Sequence, residues 1–307
     1  MASNPPKTRR IWFATLALVL LVVLAAVLVK LATDHRQSIS VASHQDILDG
    51  FDELGYSRDD WTGNTPGVPR IAFNRIPMAW TDDQGVDAKK SLFLMAMAPL
   101  ALMSNELILK DRARLLELAG ESNLSTGEID WLTNLAQRYR VVADDGSLAN
   151  ADDIPELLNR VDAVPVSLML AQGVEESGWG TSRFAEEGNA LFGQWTWGDE
   201  GIVPQQQRDG MGDYKIRAFA TPLDSVEAYM LNLNSHAAYA DLRARRAQSE
   251  SPSGSDLAAG LTSYSERGAD YVSSLRAIIS VNKLSNLDTA VLADGPTTIV
   301  NPVGDGS

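Results

Sequence analysis

The sequence of 307 residues contains no cysteine. Disulfide bonds, thiolate metal sites and a cysteine nucleophile are therefore all excluded. Histidine is nearly as scarce, and the three histidines, His35, His44 and His236, are too scattered to indicate a zinc cluster. We accordingly expect neither a metal site nor a cofactor.

Basic residues are outnumbered by acidic ones, 26 to 40, which gives a net charge of −14. This balance argues against a nucleic-acid partner, because neutralising phosphates needs clustered lysine and arginine. The sequence also lacks a G-x-S-x-G elbow, a P-loop, a dinucleotide-binding fingerprint and an H-E-x-x-H zinc motif. With 45% hydrophobic and 21% charged residues, the chain is typical of a globular protein that is large enough to build a core.

One long uncharged run is present near the N-terminus, from Ile11 to Val29, directly after the basic stretch KTRR. At a rise of about 1.5 Å per residue it matches a bilayer core of about 30 Å. A cleaved signal peptide is the alternative, but its apolar segment usually spans about 7–15 residues and ends at a small-x-small site, whereas a lysine follows here. We predict an uncleaved anchor at 11–31, with residues 1–10 in the cytoplasm and the rest of the chain outside the inner membrane.

The chain after the anchor predicts a linker with one short amphipathic helix over 32–74, and then a helical region over 75–150. Charges and Pro99 interrupt the apolar part of that region, which predicts a kink or a break and favours a core helix over a second membrane span. Ser125 and Glu128 have the spacing of a capping box, which predicts a helix start. A clamp on the following domain, a partner surface and a spacer from the membrane are all open roles for this region.

Residues 151–285 are again mostly helical in pattern. Pro165 begins the stretch PVSLMLAQGVEESGW, whose apolar residues wrap nearly all round a helix, so this helix should be central and buried. The later stretch GIVPQQQRDGMGDYKIRAFATP predicts a β-hairpin with an irregular loop, after which helices resume. Residues 286–307 predict a disordered tail. The predicted fold class is mainly α (α+β), with a small β-hairpin.

Two glutamates, Glu175 and Glu176, fall in the last turn of the predicted buried helix. Successive helical residues point about 100° apart, so only one of them can face a given cleft. Gln172 lies one turn before Glu176 and Trp179 about one turn after it, which assigns Glu176 to a polar, aromatic face and Glu175 to solvent or a basic neighbour. The helix C-terminus and partial burial would both raise the pKa of Glu176, as a general acid requires. On spacing alone, a solvated glutamate pair is the alternative.

Aromatic and neutral polar side chains cluster along the sequence around this pair. The aromatic rings are suited to stacking on sugars and the amides to binding hydroxyl groups, although aromatic residues at this density also form cores. The candidate substrate-binding residues are Gln172, Trp179, Asn189, Phe192, Gln194 and Trp195.

The segment AQGVEESGWGTSRFAEEGNALFGQW resembles the glucosaminidase domain of glycoside hydrolase family 73, whose hallmark is AQxxxESxWG at a helix end followed by N-L-F-G. Downstream, RAFATPLDSVEAYMLNL and YSERGADYVSSLRAII resemble later segments of that family, in the expected order. Within the family, GNxLFGxW and YSxRGxxYV are typical of the bacterial Bax-like proteins. The resemblance covers roughly residues 70–285. It implies that 151–285 form a catalytic domain with a lysozyme-like helical fold.

The resemblance also implies roles for individual residues. Glu176 matches the catalytic acid, and Tyr264 matches the tyrosine of the closing motif, which is thought to contact the substrate near the scissile bond. Tyr271 is interpreted as a packing residue, with a role in the substrate cleft as the alternative. Many members carry a second glutamate on the β-hairpin, where this chain reads GIVPQQQRDG instead. The candidates for the second carboxylate are Glu200, Asp209 and Asp213.

Whether the site has a second carboxylate decides between two mechanisms. Inversion needs a catalytic base about 6.5–9.5 Å from the acid. Substrate assistance instead uses the N-acetyl group of the sugar itself and needs no second carboxylate. We favour substrate assistance here, with Tyr264 steering the N-acetyl group. The leading hypothesis is a single-pass protein of the bacterial inner membrane with a periplasmic catalytic domain that cleaves β-1,4 bonds after N-acetylglucosamine in peptidoglycan. A lytic transglycosylase and a non-catalytic wall-binding module are the alternatives. Glycan strands and the membrane are the expected partners, and the sequence identifies no protein partner.

Overall fold

The computed structural model describes residues 37–61, 67–141, 153–207, 210 and 212–303. The predicted cytoplasmic tail and the predicted anchor at 11–31 lie outside the described residues. Asp209, one candidate for the second carboxylate, lies outside them as well.

The described part of the chain is mainly helical, which confirms the predicted class. Up to residue 141 the elements are β1 (Gln37–Val41), α1 (His44–Glu53), β2 (Ile71–Phe73), α2 (Val86–Ala119) and α3 (Thr126–Arg138). From residue 153 they are α4 (Asp153–Arg160), α5 (Val166–Ser177), α6 (Arg183–Gly188), β3 (Trp195–Thr196), β4 (Lys215–Ile216), α7 (Pro222–Ser235), α8 (Ala240–Ala247), α9 (Gly254–Leu257), α10 (Ala269–Val281) and β5 (Thr298–Pro302).

A parallel sheet of order β1-β5-β2 corrects the prediction of a disordered tail over 286–307. β5 is its central strand, and Val300 pairs with Ile39 on one side and Phe73 on the other. Thr298 and Val300 are buried in this sheet. The prediction was wrong because the partners of β5 lie more than 200 residues away in the chain, where local composition carries no signal of the pairing.

α2 continues through Pro99 without the break that was one of the two predicted outcomes. A proline has no N–H to give to the carbonyl of residue i−4, which here is Met95. The buried Tyr56 hydroxyl donates a hydrogen bond to this carbonyl over 3.2 Å. The free acceptor is thereby satisfied, and the helix can pass through its proline inside the core.

α2 is also the one described helix that is long and apolar enough to cross a membrane. Within its apolar window, 78% of the residues are buried inside the protein. Its central residues, among them Phe93 and Met97, belong to the same hydrophobic core as α5. We therefore interpret α2 as a core helix.

The predicted helix starts are found where the capping chemistry placed them. The Glu128 carboxylate accepts a hydrogen bond from the Ser125 N–H over 2.7 Å, and the Ser125 hydroxyl accepts one from the Glu128 N–H. This reciprocal pair is the predicted capping box, and it begins α3. Pro165 lies directly before α5 as its N-cap residue.

α5 is buried along most of its length, as predicted, and its start is fixed by distant side chains. The Asn105 amide of α2 both donates to and accepts from the backbone of Val164, over 2.8 and 3.0 Å. Asp288 accepts hydrogen bonds from the backbone N–H and the hydroxyl of Ser167. The region before residue 142 therefore packs directly on the helix that carries Glu176, which favours the clamp among the open roles of that region.

The predicted β-hairpin is present, but its first strand begins before the stretch that predicted it. β3 starts at Trp195, and helix α6 lies between α5 and this strand. β3 and β4 pair antiparallel, with Trp195 opposite Ile216, and Ile202 adds a further bridge to Ile216.

Candidate active site

The end of α5 is a sharp left-handed turn over three consecutive residues. Gly178, Trp179 and Gly180 have φ angles of 59°, 63° and 76°. A side chain at Gly180 would place its Cβ 2.9 Å from Phe93 and 3.0 Å from Met78. A residue with a bulky side chain, Trp179, is held in a conformation that such residues rarely adopt. The S-G-W-G sequence thus ends the helix immediately after Glu176 and turns the tryptophan onto α2.

Trp179 lies against α2 at the rim of this turn. Its ring packs edge to face with Phe93 at a centroid distance of 6.2 Å, and the Lys90 ammonium lies 5.4 Å from its ring centroid. The tryptophan is partly exposed. Its exposed surface is therefore available to a ligand, as predicted from the sequence. The residues that hold its ring, Phe93 and Lys90, lie before the predicted catalytic domain.

Glu176 is partly exposed, and the surrounding protein raises its pKa. Burial is the largest cause, and the negative charge of Glu175 adds to it. A hydrogen bond from the Tyr271 hydroxyl to Oε1, 2.6 Å long, and the positive charge of Arg267 act in the opposite direction. Because burial outweighs these two, the carboxyl keeps its proton to a higher pH than a free glutamate does.

Glu175 forms an ion pair with Arg267. This contact confirms the prediction that Glu175 faces solvent or a basic neighbour. Arg267 also donates a hydrogen bond to Ser274 over 2.6 Å, so its guanidinium is held beside the helix end. The two adjacent glutamates thus have different environments: Glu175 is neutralised, and Glu176 lies among tyrosines.

Four tyrosines surround Glu176. The rings of Tyr264 and Tyr271 stack with an interplanar angle of 2° and a centroid distance of 5.5 Å, and Tyr239 packs on the other side of Tyr264. Tyr229 lies deeper, stacked on Phe192 at 4.0 Å. Burial raises the pKa of all four phenols, so each stays neutral and can donate one hydrogen bond. Tyr229 and Tyr239 were not predicted from the sequence. The position of a tyrosine on the buried face of a helix does not distinguish a packing residue from a residue of a functional site.

Two of the predicted substrate-binding residues lie inside the core, which corrects their assignment: Gln172 is fully buried and Phe192 is 3% exposed. Tyr271 is 1% exposed, which agrees with its interpretation as a packing residue rather than with the alternative role in the cleft. Helical spacing indicated the correct face for Gln172 but not its depth in the core. These three residues form the framework behind Glu176.

Asn189 holds the backbone together at the end of α6. It adopts a left-handed conformation with φ of 50°, and its amide donates to the carbonyls of Phe219 and Ala220 at 3.2 Å. The carbonyl of Asn74, next to β2, accepts from the same nitrogen at 3.4 Å. These contacts use the amide group that had been predicted to bind sugar hydroxyls.

The segment after Phe192 keeps the exposed features predicted for saccharide binding. Trp195 stacks on Tyr214 at 4.3 Å and packs edge to face with Trp197, which is 65% exposed. The buried Oε1 of Gln194 accepts no hydrogen bond from the described protein groups. The Tyr264 hydroxyl donates to the carbonyl of Phe192 over 3.3 Å, which ties this segment to the tyrosine cluster.

Within the described part of the chain, Glu175 is the carboxylate that contributes to the raised pKa of Glu176. Glu175 and Arg267 are the charged groups that shift the pKa of Glu176. Glu200 and Asp213 are exposed residues of the hairpin loop. Among the described residues there is also no group of three His, Asp or Glu side chains that could hold a metal ion. The chemistry available at this site is therefore that of one carboxyl group with a raised pKa among neutral phenols.

A cavity of about 800 Å³ lies at the opposite end of α5 from Glu176. Its lining includes Pro165, Arg246 and Asp288, and contains neither Glu176 nor any of the four tyrosines. Size alone does not make this cavity the active site. The partly exposed Glu176 and the phenols around it lie at the other end of the helix.

Glu176 and the four tyrosines all lie in a segment that matches a family of known proteins. The family model described as "Glucosaminidase: Mannosyl-glycoprotein endo-beta-N-acetylglucosaminidase" matches residues 151–284. The chain belongs to this glucosaminidase family.

One protein sequence and one solved structure are similar to this chain. Protein bax of Escherichia coli (strain K12) is 31% identical over 202 residues, which are 64% of this chain and 70% of that protein. The crystal structure of the catalytic domain of the autolysin Auto from Listeria monocytogenes matches 57% of this chain and 95% of its own, with 17% identity and a TM-score of 0.34.

Proposed function

We propose that this protein is a peptidoglycan hydrolase that cleaves the β-1,4 bond after N-acetylglucosamine, with Glu176 as the general acid. The observation that carries the proposal is the environment of Glu176, a partly exposed carboxyl whose pKa is raised by burial at the end of a rigid helix. Membership of the glucosaminidase family supports the reaction class.

The protonated Glu176 would give its proton to the glycosidic oxygen, so that the bond from that oxygen to the anomeric carbon breaks. The carbonyl oxygen of the substrate's own N-acetyl group would attack the anomeric carbon and form a cyclic oxazolinium intermediate. Water, losing a proton to the Glu176 carboxylate, would then open this intermediate from the same face as the departed leaving group. The product would retain the β configuration.

The tyrosine cluster and the tryptophans supply the remaining parts of this proposal. Tyr264 is partly exposed and beside Glu176, and we assign it to steering the acetamido group. Trp195 and Trp197 offer ring faces to the sugars. This set combines apolar faces with a few polar groups, as a saccharide requires.

The anchor predicted at 11–31 would hold this site close to the outer face of the inner membrane. Only five residues separate its end from the start of β1 at Gln37. Five residues span at most about 18 Å, even when fully extended. We propose a single-pass periplasmic arrangement in which the enzyme acts on glycan strands near the membrane.

The acid role is tested with Glu176→Gln, which keeps the size of the side chain and removes the proton donor. We expect release of reducing ends from purified peptidoglycan to fall by a factor of about 10²–10⁴, the usual contribution of a general acid. Glu175→Gln is the matched control, because its partner is the exposed Arg267, and it should keep most of the activity. Near-normal activity of a folded Glu176→Gln protein would refute the assignment.

A lytic transglycosylase is the second candidate, because the carboxylate that acts on Glu176 among the described residues, Glu175, is paired with Arg267. In that reaction the muramic acid 6-hydroxyl attacks the anomeric carbon, and Glu176 acts first as acid and then as base. Mass spectrometry of the digest separates the candidates. Reducing N-acetylglucosamine ends support the hydrolase, and 1,6-anhydro-muramic ends support the transglycosylase.

A further inference from the structure

We propose that a buried chain of hydrogen bonds, Tyr229 to Gln172 to Tyr271, is a positioning device that holds Oε1 of Glu176 as an acceptor and confines the transferable proton to Oε2. This inference rests on the proposed role of Glu176 as the acid. It adds two residues, Gln172 and Tyr229, to which family membership and sequence pattern assign no such role.

The geometry forms a continuous chain. The Tyr229 hydroxyl donates to Gln172 Oε1 over 2.6 Å. Gln172 Nε2 donates to the Tyr271 hydroxyl oxygen over 2.9 Å. The Tyr271 hydroxyl donates to Glu176 Oε1 over 2.6 Å. All three distances lie within the usual range for hydrogen bonds.

The direction of the chain follows from the donors available. An amide nitrogen can only donate, so the Tyr271 oxygen accepts from Gln172 and its single proton must go elsewhere. Glu176 Oε1 is the acceptor that this proton meets. At the other end, the Gln172 oxygen is occupied by Tyr229, which holds the amide in this orientation. Every donor in the chain therefore points towards Glu176.

Water cannot substitute for the members of this chain. Gln172 is fully buried, and Tyr229 and Tyr271 are each 1% exposed. The rings are held by stacking, Tyr229 on Phe192 and Tyr271 on Tyr264. The chain is thus a fixed part of the core, and it reaches the surface only at the carboxyl group.

The consequence for catalysis is selective use of one carboxyl oxygen. Oε1 accepts the Tyr271 hydrogen bond whether Glu176 is ionised or protonated. In the protonated state the proton must therefore lie on Oε2. The proton of the general acid is then always on the same oxygen atom. This preorganisation keeps the proton donor in one geometry relative to the substrate.

The test is a pH–rate profile for a graded series of variants of the full-length protein. Tyr271→Phe removes the last hydrogen bond, which favours the ionised carboxylate, so the alkaline limb of activity should move to higher pH by about one unit and the maximal rate should fall about tenfold. Gln172→Met should move the limb in the same direction by less, because Tyr271 keeps its hydroxyl but loses the donor that orients and polarises it. Tyr229→Phe should have the smallest effect of the three.

The double variant Gln172→Met with Tyr271→Phe tests whether the two residues act through one hydrogen-bonded chain or independently of each other. Once the Tyr271 hydroxyl is absent, Gln172 has no route to Glu176, so the double variant should match Tyr271→Phe alone. Tyr56→Phe is the matched control, because it also removes a buried tyrosine hydrogen bond, to Met95, away from the site. It should leave the pH profile unchanged.

Two outcomes would overturn the proposal. One is that the shifts of the alkaline limb add up in the double variant. The other is that the Gln172→Met protein, shown by circular dichroism to be folded, has the same pH profile as the wild type. Both leave the proposed function intact, provided that Glu176→Gln is inactive. An active Glu176→Gln protein would instead remove the proposed function itself. The two failures are therefore distinguishable.

Discussion

Gly180 provides a test of how tightly the turn at the end of α5 packs against its neighbours. Gly180→Ala should destabilise the protein for two reasons. A non-glycine residue at a φ of 76° costs about 1–2 kcal/mol, and the new Cβ would lie 2.9 Å from Phe93 and 3.0 Å from Met78. Overpacking of this kind costs about 1–3 kcal/mol, so the total loss in the free energy of unfolding should be about 2–5 kcal/mol.

The matched control for this substitution is Gly193→Ala. Gly193 has a φ of 61°, similar to that of Gly180, but an added Cβ there meets nothing within 4 Å. It should therefore show only the backbone cost of about 1–2 kcal/mol. Urea unfolding of the full-length protein in detergent, followed by circular dichroism, measures both. Equal losses in the two variants would show that Phe93 and Met78 accommodate the added Cβ without cost, and would refute the reasoning.

Three further predictions concern the core and the acid. Tyr56→Phe should lower the free energy of unfolding by about 1–3 kcal/mol, measured by urea titration, because it leaves the Met95 carbonyl buried and unpaired. Truncation before β5 should lower the melting temperature in calorimetry, because it removes the central strand between β1 and β2; an unchanged melting temperature would contradict the sheet. The raised pKa of Glu176 means that its contribution to stability is complete at low pH and is lost as the pH rises through its folded-state value. Glu176→Gln should therefore reduce this decline in urea titrations at several pH values, and an unaltered decline would count against the raised pKa.

Local interactions explain the parts of the fold that the sequence predicted well. The capping box of Ser125 and Glu128 satisfies backbone groups only three residues apart, so it could be predicted without knowledge of the rest of the chain. The buried character of α5 follows from apolar residues on all its faces. Both signals lie within one helix, where spacing determines which side chains meet.

Distant pairings explain the parts that the sequence predicted wrongly. β5 has its partners at the other end of the described chain, and its own short stretch is indistinguishable from a loose tail. The passage of α2 through Pro99 depends on Tyr56, which lies 39 residues before the carbonyl it satisfies. Each of these depends on a residue whose proximity only the folded chain establishes.

At the site, the sequence alone determined the candidate acid and its separation from Glu175, because helical geometry and a dense motif are local properties. Tertiary structure decided what surrounds that acid. It placed Gln172, Phe192 and Tyr271 inside the core and brought Tyr229 into line with them. Helical spacing fixes the direction of a side chain, but whether that direction meets solvent or another helix depends on packing between residues that are distant in the chain.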